Sequence, residues 1–86
     1  MNTLFLLMAR YDGRPLVPVE TVRADYFAHL SLDKFLRKAA AGEIRLPIVR
    51  AETSQKSAKG VHLTDLAAYI DARRAAAVRE LEQVTR

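Results

Sequence analysis

Pro18-Val-Glu-Thr-Val-Arg-Ala-Asp-Tyr-Phe-Ala-His-Leu-Ser31-Leu-Asp-Lys-Phe-Leu-Arg-Lys-Ala-Ala-Ala-Gly42 is the stretch whose reading decides the fold. Val19, Val22, Tyr26, Phe27 and Leu30 recur at i, i+3, i+7, i+8 and i+11, which is one face of a helix, and Pro18 suits its first turn. Ser31 is a good N-cap for a second helix, and Asp33 in its first turn complements the helix dipole. Leu32, Phe35, Leu36 and Ala39 form the apolar stripe of that helix, and Gly42 ends it. A connection of only a residue or two separates the pair, so the chain is expected to turn sharply. That is a helix–turn–helix.

Beyond Gly42 the period changes from helical to alternating. Ile44, Leu46 and Ile48 alternate with Glu43, Arg45 and Pro47, which reads as a strand, and Pro47 assigns it to a sheet edge or a frayed start. The polar stretch 51–60 reads as a hairpin loop, with Val61 and Leu63 returning as the partner strand. Thr64 then caps a final helix with Asp65 in its first turn. Leu66, Tyr69, Ile70, Ala77, Leu81 and Val84 carry the apolar side of that helix nearly to the terminus. At the other end, residues 1–14 form a buried element that reads as helix or short strand. Asn2 or Thr3 is placed to cap the helix, and Gly13 to end it. The expected fold is α+β, mainly helical: one winged helix–turn–helix domain over residues 1–86, with a two-stranded hairpin wing and a long C-terminal helix.

The charge of this chain is unevenly placed. Its 86 residues carry a formal net charge of +4, and residues 31–60 hold Lys34, Arg37, Lys38, Arg45, Arg50, Lys56 and Lys59 against Asp33, Glu43 and Glu52. That surplus equals the whole net charge and points to a polyanionic partner, of which nucleic acid is the commonest. Lys34, Arg37, Lys38 and Ala41 share the outer face of the second helix. They form a recognition surface that suits a major groove about 12 Å wide. Ser54, Gln55, Lys56, Ser57 and Lys59 at the hairpin tip suit phosphate contacts or minor-groove insertion. Arg45 and Arg50 flank the strand and read as peripheral.

The rest of the chain excludes more than it offers. There is no cysteine, so disulfides and zinc fingers are ruled out. His29 and His62 lack partners at ligand spacing, and no nucleophile elbow, phosphate loop or carboxylate pair appears, so neither a metal site, a cofactor nor an enzyme is expected. Tyr11, Tyr26 and Tyr69 read as core or rim aromatics. Arg73, Arg74 and Arg79 read as forming helix pairs with Asp71, Glu80 and Glu82. The apolar run Leu4–Ala9 is too short for a secretory signal or a membrane span, and a small basic protein without disulfides fits the cytoplasm. Ala75, Ala76 and Ala77, with Leu81 and Val84, suit either a homodimer contact or packing back on the N-terminal segment.

Several segments together carry a family resemblance. The opening Met1-Asn-Thr-Leu-Phe-Leu-Leu-Met-Ala-Arg-Tyr-Asp-Gly13, the Asp25-Tyr-Phe27 stretch and Ala41-Gly-Glu-Ile44 with Leu46-Pro47 occur in order. Ser54-Gln-Lys56 and Lys59-Gly-Val-His-Leu63 with Asp65-Leu66 follow them. The chain thereby resembles the pyocin activator protein family over essentially its whole length. The resemblance implies a small bacterial transcription activator of bacteriocin (pyocin) genes, bound upstream of their promoters and held off by a repressor until DNA is damaged. The expected partner is double-stranded promoter DNA, and activation calls for either a surface that contacts RNA polymerase or a promoter-shaping effect. Two other readings share the physical features: an excisionase-like architectural DNA bender, and a regulatory adaptor whose basic face docks an acidic protein.

Overall fold

The computed structural model describes residues 2–54 and 57–85 and orders them as four helices and three short strands. Helix α1 (Thr3–Arg10) starts where the Asn2 side chain accepts a hydrogen bond from the Phe5 amide at 2.9 Å, so the N-terminal element is a helix. Strand β1 (Leu16–Pro18), helix α2 (Val19–Tyr26) and helix α3 (Leu32–Ala40) follow. Strands β2 (Val49–Arg50) and β3 (Lys59–His62) then lead into helix α4 (Leu63–Val84). The class is α+β and mostly helical, as the sequence implies, but four of its local expectations are corrected.

The sheet has three strands, not two. Its order is β1-β3-β2, antiparallel throughout, with Val17 opposite Val61 and Val49 opposite Gly60. Pro18 therefore ends an edge strand, where its missing N–H costs nothing, and stands just before α2 instead of in its first turn. Gly60 lies in the central strand, and a Cβ there would sit 3.1 Å from the Val17 carbonyl oxygen, a tight contact against which the β1 backbone would have to give by a few tenths of an ångström. The second correction concerns residues 44–48. Ile44 and Leu46 are buried and Glu43, Arg45 and Pro47 exposed, so the alternation is real, but this segment joins no ladder and pairing begins only at Val49.

Third, α2 ends at Tyr26, and residues 27–31 connect it to α3. Phe27 leaves the helical path to be buried against Phe35, with ring centroids 4.8 Å apart, and against Tyr69 at 5.7 Å. This aromatic cluster ties α2, α3 and α4 together and outweighs continuation of the helix, which would have kept Phe27 and Leu30 on one face. Fourth, His62, not Thr64, caps α4. Its Nδ1 accepts from the Thr64 amide at 3.1 Å, and Leu63 becomes the first residue of the helix instead of the last of a strand.

The core lies between these layers. Phe35, Leu66, Val17, Val22 and Val61 are fully buried, and Leu7 and Tyr11 bring α1 onto it. At its start α1 is fastened to α4 by Thr3 Oγ1 donating to Asp71 at 2.5 Å. At its end the Tyr11 hydroxyl donates to Asp25 of α2, also at 2.5 Å. Burial and then this bond to a carboxylate raise the Tyr11 phenol well above the ordinary tyrosine range.

Candidate nucleic-acid interface

Local chemistry sets the pose of α3. Ser31 Oγ accepts from the Lys34 amide at 3.2 Å, and Phe35 anchors the inner side. At the other end Gly42 takes φ +79°, while the Glu43 amide donates to Lys38 and the Gly42 amide to Ala39, the bond pair of a Schellman stop. The incoming connection is held by Arg23. It grips both carboxylate oxygens of Glu20 at 2.9 and 2.7 Å and donates through Nη1 to the Leu30 carbonyl at 2.9 Å. The shared hydrogen bonds lower the Glu20 carboxyl and raise the Arg23 guanidinium from their ordinary values. Arg23 thus spans α2 and the residue just before the α3 cap.

Lys34, Arg37, Lys38 and Ala41 do come together, lining a shallow groove of about 440 Å³ with Leu30 and Glu43. Two of the three cations are already engaged. Arg37 pairs with Asp33 at 2.9 Å, both side chains largely exposed, and Lys38 lies 3.7 Å from Glu43. Lys34 is exposed and makes no ion pair with the described residues.

The hairpin lies on another side of α3. A groove of about 630 Å³ runs between Leu36, Ala39 and Ala40 of α3 and Arg50, Glu52, Thr53 and Lys59 of the hairpin. Successive helical residues turn by about 100°, so Arg37 stands near the ridge between this groove and the one lined by Lys34 and Lys38. Ser54 is exposed, while half-buried Ser57 is turned inward, its hydroxyl donating to the Glu52 carbonyl at 2.9 Å. Gln55 and Lys56 lie outside the described residues. Lys59 is not a loop residue: it sits in β3, directly opposite Arg50 of β2.

That register reveals a residue the sequence reading set aside. Arg50 and Lys59 are two cations directly opposite each other across a ladder, which gathers positive charge on one stretch of the hairpin. Arg45 is also more than peripheral. With Lys38, Arg73 and Arg79 it rims a cleft of about 570 Å³ floored by Phe27, Ile44 and Tyr69. Only the strand register, through the opposition of Arg50 and Lys59, could have flagged the first of these. The expected pairs along α4 do not form, since among the described residues no ion pair involves Arg73, Arg74 or Arg79.

These features define a small basic α+β domain whose surplus of cations over acids falls in residues 31–60, from the capped helix through the hairpin, with no helix long and apolar enough to cross a membrane among its described residues. The chain belongs to the pyocin activator protein PrtN family, whose model matches residues 3–77, from α1 into the second half of α4. The family is one of transcription activators, which gives the chain its role at pyocin genes. No curated protein and no solved structure shows a match to it.

Proposed function

We propose that this activator works by binding double-stranded promoter DNA as a winged helix–turn–helix, with α2 and α3 as the helix pair and the β2–β3 hairpin as the wing. The observation that carries the reading is the two-sided build of α3: Phe35 is fully buried on one side, while Lys34, Arg37 and Lys38 line a solvent groove on the other. A helix with its side chains is about 10–12 Å across and fits a major groove of about 12 Å. The Arg37–Asp33 pair does not block this, because an exposed pair of this kind is worth only about 0.2–1 kcal/mol and a guanine edge or phosphate can replace the carboxylate. Arg50 and Lys59 on the wing supply phosphate contacts that hold the register of the helix.

A gel titration tests the reading with two duplexes, one from upstream of a pyocin gene cluster and one of scrambled sequence. The upstream duplex should bind at least about 10³-fold more tightly, and log affinity should fall with log salt in proportion to the phosphates contacted. Equal binding of both duplexes, or none of either, would sink it. A promoter–reporter assay with the same DNA separates activation from bending alone.

A further inference from the structure

One stripe of α4 is half covered. Leu63 and Ala67 on it are buried and Ile70 is packed against the core, and α1 packs on α4 with its first residue bonded to Asp71. The same stripe continues with unbroken alternating steps of four and three residues through Arg74, Ala77, Leu81 and Val84. None of the described residues covers this second half: Leu81 is 62% and Val84 81% exposed. The expectation that it packs back on the N-terminal segment is therefore not met. On α1 itself Phe5 and Leu6 are exposed as well, at 61% and 56%.

We propose that a second copy of this chain covers the stripe, with the two α4 helices packed antiparallel and crossing near Ala76. Charge decides the orientation. Arg73 and Glu80 flank the stripe on one side, and neither has an opposite charge three or four residues away in its own helix: Arg73 has Tyr69, Ile70, Ala76 and Ala77 there, and Glu80 has Ala76, Ala77, Gln83 and Val84. An antiparallel crossing near Ala76 sets each Arg73 level with the partner's Glu80, forming the pair twice across the two-fold axis. A parallel pairing would set Arg73 against Val78 and Glu80 against Thr85, with no charge satisfied.

The same crossing accounts for the apolar exposure on α1. Leu81 lies four and a half residues beyond the midpoint of Ala76 and Ala77, about 7 Å along the axis, and in the antiparallel arrangement comes level with Ala72 of the other copy, next to Asp71. That is where α1 begins, bonded through Thr3, and where Phe5 and Leu6 stand exposed. The small side chains at 75–77 let the helices approach closely, and Arg74 is the single polar interruption, of the kind that fixes register in paired helices.

Sedimentation equilibrium of the full chain without DNA tests this directly. The wild type should run at twice 9.7 kDa, and Leu81→Glu at the monomer mass with an unchanged helical circular dichroism spectrum. Arg73→Glu and Glu80→Arg should each weaken the dimer about tenfold, and the double exchange should restore it. A wild-type monomer, a dimer that survives Leu81→Glu, or a double exchange no better than the single variants would each overturn the proposal. None of these readouts depends on DNA binding, so the dimer and the promoter reading fail independently.

Discussion

The two sides of α3 are built from different kinds of contact. On the inner side Phe35 is fully buried and stacked on Phe27, within a cluster that also holds Tyr69. On the outer side Arg37 and Lys38 form exposed or half-exposed ion pairs with Asp33 and Glu43, and Lys34 forms none among the described residues. Inner contacts are many, simultaneous and irreplaceable, because each buried atom has lost its water. Outer contacts are few and exchangeable, since a carboxylate and a phosphate offer the same acceptor chemistry. The difference teaches that pose and recognition can be separated by mutation.

The largest expected effect is on the inner side. Phe35→Ala removes a buried aromatic and leaves a cavity, a cost of about 3–5 kcal/mol. A single core in a chain of this size supplies only about that much net stability. The variant should lose its cooperative thermal transition by circular dichroism, and a melting curve close to wild type would break the comparison. Arg37→Ala should do the reverse. Its thermal transition should stay within about 0.5 kcal/mol of wild type. Specific promoter binding should weaken by about 1–3 kcal/mol, with relaxed preference at one base pair if the guanidinium pairs with guanine. Equal losses on specific and scrambled DNA would reassign Arg37 to phosphate contact.

The parts of this fold that were legible in the sequence are those governed by rules spanning three or four residues. Ser31 bonds the amide three residues on and Gly42 supplies the positive φ that ends α3, so the bounds of α3 follow from short-range chemistry. The short apolar run of α1 instead leaves helix and strand open, and its end falls at Arg10, before Gly13. Strand β1 was illegible because three residues carry no period of their own. Leu16–Pro18 is a strand only because β3 lies beside it. The segment at 44–48 misled for the opposite reason: burial alone makes Ile44 and Leu46 alternate with their neighbours, with no ladder needed. In the candidate site, the grouping of Lys34, Arg37, Lys38 and Ala41 followed from helical spacing. The opposition of Arg50 and Lys59 depends on strand register, which no count of charges contains.

A smaller effect tests whether the inner side also carries the pH response. Tyr11 is buried and donates to Asp25, and both facts favour its neutral form in the folded state. An unfolded tyrosine ionises near pH 10. The stabilisation is therefore fully present below about pH 10 and is lost as pH rises above it, toward the higher folded value. Tyr11→Phe should cost about 1.5 kcal/mol at neutral pH, the lower end for a hydrogen bond to a charged group because Asp25 is partly exposed. It should also flatten the alkaline fall in melting temperature. Parallel declines of wild type and variant above pH 10 would show that another group dominates there.

Asp33→Asn is the smallest and most discriminating change, because stability and binding should move in opposite directions. In the free protein the carboxylate pairs with Arg37 at 2.9 Å and stands in the first turn of α3, where a negative charge is favoured by the helix dipole. Removing the charge should lower stability by a few tenths of a kcal/mol, as expected for exposed pairs of this type. On DNA the same carboxylate would stand on the face that approaches phosphates, repelling them and competing for Arg37. Its loss should therefore tighten binding to specific and scrambled duplex alike, by a few-fold at low salt and less at high salt. If Asp33→Asn lowers the melting temperature slightly but leaves affinity unchanged, the outer side of α3 does not face DNA, and the division of α3 into a posing side and a reading side fails even if Phe35→Ala and Arg37→Ala behave as expected.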